Sequence, residues 1–578
     1  MKARRNSQLS QEPVEPHLLR GVPLTVCLSG WAKHFRPPAS GILQNDQESY
    51  NLSQPTEGFD EFLSHDWETP RLHKLLTMLI IYNSRAAFVC SFCFSVLVGF
   101  LRAVKVLPDG LGTELVAYAV FPLVLCFWQR LRSLFTKPIT VFFDMLCVNQ
   151  HDEELKRKAI SGLVSFLDSS KKLTIFWSKR YFSRLWCTYE ISTFLRDPQM
   201  RRTILVMPVK LSVILVVFSI FEHMISFAHF LITEIYPDLS HLQELALFLP
   251  FLALNPLLYF IGIGMMSDLQ KLPRQLQEFR VQDAECACCS KNHRHPETGE
   301  TLACDREIIF RMLKRWFGKE DDLGDEHLET FNSLVHEVLA PRVLQSMGSD
   351  VLPFSYCVYM ILVSKIPELC HLIPVLAAGP GAHENFNTFH WALRKIFTWA
   401  MGCVTSLFWV RMSMRGWLLS VWCMPETGLD RAVVQSVSAF LISIPIGTWL
   451  CMLVLSYHGI LIYTAEDNLT VAAPFVFWVM ILTIFWNRQG KEPTVPKSFQ
   501  EAREFVRSAS NLSVSDEKSV SEIIGVDAWT IEAIRCSAAP LVRIGAFIRT
   551  RPVRTLKNAF WTQKDAFWTA KTRSQDTV

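Results

Sequence analysis

Long apolar runs and short amphipathic ones alternate along this chain, and the two kinds predict different environments. Residues 86–104, 115–133, 211–232, 244–266, 432–457 and 469–487 are almost unbroken apolar stretches. Each reaches the roughly 20 residues a helix needs to cross the hydrocarbon core of a bilayer. Two more, 351–377 and 390–413, have the length but are interrupted by charge. The pattern predicts an α-helical multi-spanning membrane protein with six to eight spans, grouped in hairpins. The connections within pairs, 105–114, 234–243, 378–389 and 458–468, are short.

A different rhythm fills the segments around the first hairpin. Phe62, Leu63 and Ser64 form a short apolar run before the polar turn His65-Asp66-Trp67, and 70–84 then places Leu72, Leu75, Leu76, Leu79 and Ile80 at helical spacing. This helix runs straight into the first span. Beyond the hairpin, Ile139 to Phe143 reads as a buried strand ending at Asp144, and Ile160, Leu163, Val164 and Leu167 form one face of a helix. A second strand, Leu173 to Trp177, closes at Ser178. An aromatic helix over 185–196 and a strand from Thr203 to Met207 follow. Strands alternating with helices of this length predict a parallel sheet with helices on its faces. Ligands of such sheets bind at the carboxyl ends of the strands, where Asp66, Asp144, Asn149 and Ser178 fall.

Composition agrees with a membrane protein. Half of the 578 residues are hydrophobic and only 19% are charged, against about a quarter charged in an ordinary soluble domain. The net charge of +4 gives no reason to expect a nucleic-acid partner. Among the short connections the only Lys or Arg is Lys105, whereas Arg130, Arg132, Lys137, Lys156, Arg157, Lys158, Arg201 and Arg202 lie on the opposite side. By the positive-inside rule both termini are then cytosolic. The start of the chain is polar and proline-bearing, so a disordered tail over 1–57 and no cleavable signal peptide are expected.

The α/β segments also carry a family likeness. Asp60 to Ser64 is similar to the first strand of a Toll/interleukin receptor (TIR) domain, and Phe142-Phe143-Asp144 to its second. The run from Ser178 through Tyr181, Ser183, Trp186 and Cys187 to Glu190 resembles the plant-type TIR pattern that ends in Trp-Cys-x-x-Glu. Ile204 to Val209, with Pro208, resembles the next strand. The likeness covers 58–85 and 134–210, about a fifth of the chain. It implies a cytosolic TIR-like domain with a short parallel sheet in flavodoxin-like order, split by the membrane hairpin 86–133. It further implies signalling through self-association of that domain, or cleavage of NAD at the nicotinamide–ribose bond. In the second case Glu190 is the catalytic acid, and Ser64, Asp144, Ser178 and Trp186 line the nucleotide cleft. A plainer reading has Ser64 closing a turn, Asp144 capping a helix, Trp186 in the core and Glu190 paired with a nearby Lys or Arg.

Three further patterns carry chemistry. In the block 268–350, Cys286, Cys288, Cys289, His293, His295 and Cys304 offer six metal ligands within twenty residues. They suit a structural zinc that pins a loop poor in apolar residues, or else are free thiols. Within 351–377, Lys365, Glu368 and His371 are ionisable groups at membrane depth. Such groups often mark ion pathways, so a channel or transporter with a TIR-like regulatory domain is the alternative function. Finally, the basic tail of 488–578 repeats Phe560-Trp561 at Phe567-Trp568, seven residues apart. That spacing predicts an amphipathic helix lying on anionic lipid.

Overall fold

The computed structural model describes residues 15–36, 47–149, most of 152–195, 203–235, 256–294, 304–318, most of 324–343, 354–380, 388–422 and a few isolated positions. The expected spans 432–457 and 469–487, most of 244–266, and the basic tail lie outside these residues. The described residues fall into two compact units, a large one within Met1–Leu249 and Met265–Arg415 and a small one within Pro250–Gly264 and Gly416–Pro474. In the small unit the Tyr259 and Trp417 rings meet edge to face at 5.8 Å. Gly262 lies directly under the Trp417 indole, where any side chain would collide with the ring.

The large unit contains a six-stranded mixed sheet in the order β2-β1-β4-β3-β5-β6. Four strands are parallel: β3 (Glu61–His65) lies between β4 (Thr140–Phe142) and β5 (Lys172–Trp177), and β6 (Thr203–Pro208) flanks β5. Phe62 stands opposite both Phe142 and Leu173, and Leu173 opposite Ile204. Their near-continuous apolar sequences suit strands covered on both faces. Phe62 stacks on Phe142 at 4.5 Å, and Phe166 from the helix Leu163–Asp168 closes on Phe142 at 4.8 Å.

Two strands come from a region where none is expected. The sequence predicts a disordered tail over 1–57, but β1 (Arg20–Pro23) runs antiparallel along β4, and β2 (Gln54–Pro55) pairs with β1. Val22 and Cys27 are fully buried, and Phe35 is 2% exposed. The correction has a physical basis: a parallel edge strand leaves N–H and C=O groups open, and a short antiparallel addition satisfies them.

A single helix, α1 (Arg71–Ala103), is at once the first helix of the α/β layer and a membrane-spanning candidate. It returns through α2 (Leu111–Ser133) to deliver β4 on the same side. Together with Val209–Ala228, at the start of α4 (Val209–Ile235), these are the three helices among the described residues that are long and apolar enough to cross a membrane. The intervening α3 (Leu185–Leu195) covers the sheet. The expected span 351–377 is instead two helical pieces, Ser355–Lys365 and Leu369–Ala378, bent by 56°. Pro367 sits at the break, where it disfavours a helical residue before it and supplies no N–H. The expected span 390–413 falls inside α7 (Thr388–Trp422).

Between α4 and that bent pair, α5 (Asp305–Phe317) and α6 (Glu326–Leu334) form the core of the block expected at 268–350. Phe317 and Phe331 stack at 5.6 Å across the pair.

Candidate functional site

In the parallel part of the sheet the chain steps from β3 to β4 on one side and then crosses to β5 on the other. The order β4-β3-β5-β6 therefore reverses between β3 and β5, and in doubly wound sheets a ligand crevice opens at that point, past the carboxyl ends of the strands. The residues delivered there are Ser64, His65 and Asp66 from β3, and Ser178, Tyr181 and Arg184 from the turn after β5. Glu190 reaches the same place from the second turn of α3.

Three hydroxyl and carboxyl groups form a chain. Ser64 is fully buried inside its strand, so it does not close a turn. Its single hydroxyl proton goes to Glu190 Oε2. The Tyr181 hydroxyl, 2.5 Å from Ser64 Oγ, must then donate to that oxygen. Glu190 is held by Ser64 rather than by a Lys or Arg, and it keeps part of its side chain exposed. Burial pushes its carboxyl up to about 8; the Ser64 hydrogen bond and the Arg184 guanidinium oppose the rise, and the Asp144 carboxylate adds to it. A carboxyl poised near neutral pH is the state an acid–base or charge-stabilising group needs.

Asp66 anchors the neighbouring layer. It is ion-paired to Arg184 at 3.0 Å and accepts from the Ser178 hydroxyl at 3.2 Å and from the Thr69 hydroxyl. The Arg184 guanidinium in turn lies 5.2 Å from the centre of the Trp67 ring. The Trp67 indole N–H donates to Asp144 Oδ2 at 2.8 Å, and the other Asp144 oxygen takes the Met145 N–H. Burial raises the Asp144 carboxyl and holds the His65 imidazole well below its usual value, so His65 stays neutral. Of the predicted cleft residues, Ser64, Asp144 and Ser178 gather here. Trp186 does not: its indole points away and donates to Asp305 at 3.1 Å.

Sequence reasoning missed Phe35. Its ring stacks on Phe143 at 4.2 Å, meets His65 edge to face at 5.2 Å and lies under the Lys74 ammonium at 5.7 Å. The space bounded by His34, Phe35, Arg36, Trp67 and Asp144 is reduced to about 10 Å³. Nothing in the local sequence signals this, because the contacts join positions far apart in the chain, from Phe35 to His65, Lys74 and Phe143.

A second cluster lies beside α3. Cys288, Cys289, His293 and Cys304 bring one ligand atom each to within 4.8 Å of the others, which could hold a metal ion such as zinc. Cys286 forms a second group with Cys288 and Asp305. His295 lies outside the described residues. Cys304 stands at the N-terminal end of α5, and the Glu307 N–H at that helix start lowers its thiol below the ordinary value, as a helix N-terminus does.

No protein-family model, curated protein or solved structure matches this chain.

Proposed function

We propose that the chain is a membrane-anchored signalling protein whose α/β layer is a TIR-like domain, able to cleave NAD at the nicotinamide–ribose bond through Glu190. The observation that carries the reading is the chain Tyr181–Ser64–Glu190 at the point where strand order reverses. The family resemblance assigns the catalytic role to the same glutamate.

The chemistry follows from the placement. As the ribose C1′–N bond breaks, its electron pair leaves with nicotinamide and positive charge develops on the ribose. A carboxylate at Glu190 stabilises that charge. Water then adds to C1′, giving ADP-ribose, and its proton is released. The cationic nicotinamide ring entering beside Glu190 favours the ionised carboxyl, and Ser64 holds the carboxylate in position. Arg184 offers a cation for the pyrophosphate. The Phe35 contact leaves too little room for a dinucleotide, so the reading requires Lys33–Phe35 to withdraw first. The test is NAD consumption by the full-length protein in detergent, wild type against Glu190→Gln. Equal rates would remove the assignment and leave TIR-type self-association as the role of the domain.

A second reading, a channel or transporter, is favoured by the bent pair. At its break Lys365 lies 3.4 Å from Glu368 and donates to Ser226 of α4 at 2.9 Å. On the same helix, buried Glu222 accepts from Ser406 at 3.0 Å. Broken helices with charged groups at the break recur in transporter sites. Absence of cation or proton flux in proteoliposomes would count against it, and flux that Glu222→Gln and Lys365→Met leave unchanged would remove these groups from the pathway.

A further inference from the structure

We propose that a single zinc ion bound by Cys288, Cys289, His293 and Cys304 is a latch that fixes α3, the helix bearing Glu190, against the 271–343 block. The latch needs only the position of α3. It stands or falls separately from the NAD reading.

The ligand set follows from the distances. Tetrahedral zinc with bonds of ~2.3 Å to sulfur and ~2.0 Å to nitrogen spaces two sulfurs about 3.8 Å apart and a sulfur and a nitrogen about 3.5 Å apart. Cys289 Sγ lies 3.7 Å from Cys304 Sγ and 3.5 Å from His293 Nε2. Cys286 and Cys288 are 3.1 Å apart, too close for two ligands of one ion. Cys288 is the one of the two that gathers with Cys289, His293 and Cys304, and Cys286 hydrogen-bonds its sulfur from outside that group, as does the Asp305 N–H at 3.2 Å. Donors of this kind around a ligating sulfur are the usual outer support of a metal site. The backbone is already bent to suit. Asn292 and His293 both adopt left-handed conformations, φ 50° and 56°, and the His293 N–H closes the turn onto the Cys288 carbonyl at 2.8 Å. Two such residues in succession persist only where their surroundings hold them.

The same loop grips the first turn of α3 from both of its ends. On the Cys286 side, Glu285 pairs with the backbone of Ser183 and Leu185, and its carboxylate takes Arg180 at 3.1 Å. On the Cys304 side, Asp305 accepts the Trp186 indole N–H. Residues 286–304 contain little apolar material of their own, so an ion is the strongest tie available between these two grips. Beyond them, Tyr189 stacks on Trp316 at 5.4 Å.

The experiment uses full-length protein purified in detergent. Metal analysis should find about one zinc per chain and almost none in Cys289→Ser/Cys304→Ser, following the four-ligand stoichiometry. Amide hydrogen exchange across 185–195 should speed at least about tenfold on chelation and return on adding zinc alone. Asp305→Ala should keep the metal yet speed exchange at 185–190, a control that does not depend on the thiol variant folding. A wild type that takes up no zinc overturns the site. Bound zinc whose removal leaves 185–195 exchange unchanged overturns the latch. Zinc-dependent exchange without any NAD turnover would defeat the proposed activity and leave the latch standing.

Discussion

Glu190 concentrates the testable chemistry in one side chain. Its carboxyl is raised to about 8 from an ordinary value of 4.5, with burial the largest cause. The folded protein thus keeps a proton that the unfolded chain gives up. This stabilisation is complete below pH 4.5 and is lost as pH climbs through about 8. Thermal scans of wild type against Glu190→Gln should show the wild type losing relative stability across that window. In the proposed mechanism the carboxylate is the working form, so NAD consumption should rise with pH to a plateau above about 8. Glu190→Gln should lose at least ~100-fold, the usual scale for a catalytic group. The Ser64 hydrogen bond lowers the same carboxyl. Ser64→Ala should therefore move the rising limb to higher pH; an unmoved limb would show that Ser64 does not touch the titrating group. Phe35→Ala should raise the initial rate by clearing the space beside Asp144. It should also lower stability by about 3 kcal/mol, as expected for a buried Phe, and a lower rate at equal folded fraction would contradict the closed-cleft reading.

Among the elements, α1 does two jobs, and its polar residues mark the join. Asn83 donates to the Leu125 carbonyl of α2 at 2.7 Å and accepts from Gln129 at 2.9 Å. Asn83→Leu should leave Gln129 with an unmet donor and cost about 1–3 kcal/mol, read as a lower unfolding midpoint in detergent. The parallel strands were legible because each is a continuous apolar run, three of the four ended by Asp or Ser. The helix 70–84 running into a span was legible from its leucine spacing. Strand β1 was not: four residues containing Gly21 and Pro23 carry no period, and it forms because β4 presents an open edge. The bent pair was read as one imperfect span because hydropathy is blind to where Pro367 breaks a helix. For the site, the Trp-Cys-x-x-Glu pattern pointed to Glu190, and clustering of residue types pointed to Cys288, Cys289, His293 and Cys304. Which atoms meet could not be read, so Trp186 was expected in the cleft but faces Asp305, and Phe35 went unnoticed.

For the molecule as a whole, the notable feature is that the α/β layer is assembled from pieces far apart in sequence. The hairpin α1–α2 leaves and returns on one side, β1 is supplied from the N-terminal region, and the Cys/His block docks on α3 through aromatic contacts such as Tyr189 with Trp316 at 5.4 Å. Such a layer cannot be cut out as one continuous stretch, and the proposed activity must be measured on the intact chain. The most direct measurement is NAD consumption by purified full-length protein in detergent, wild type beside Glu190→Gln, from pH 6 to 9 around the raised Glu190 value of about 8. Loss of NAD with release of nicotinamide, rising through that value and absent in the variant, is the expected result. Folded wild type that leaves NAD intact across the range, or a variant as active as wild type, would contradict it.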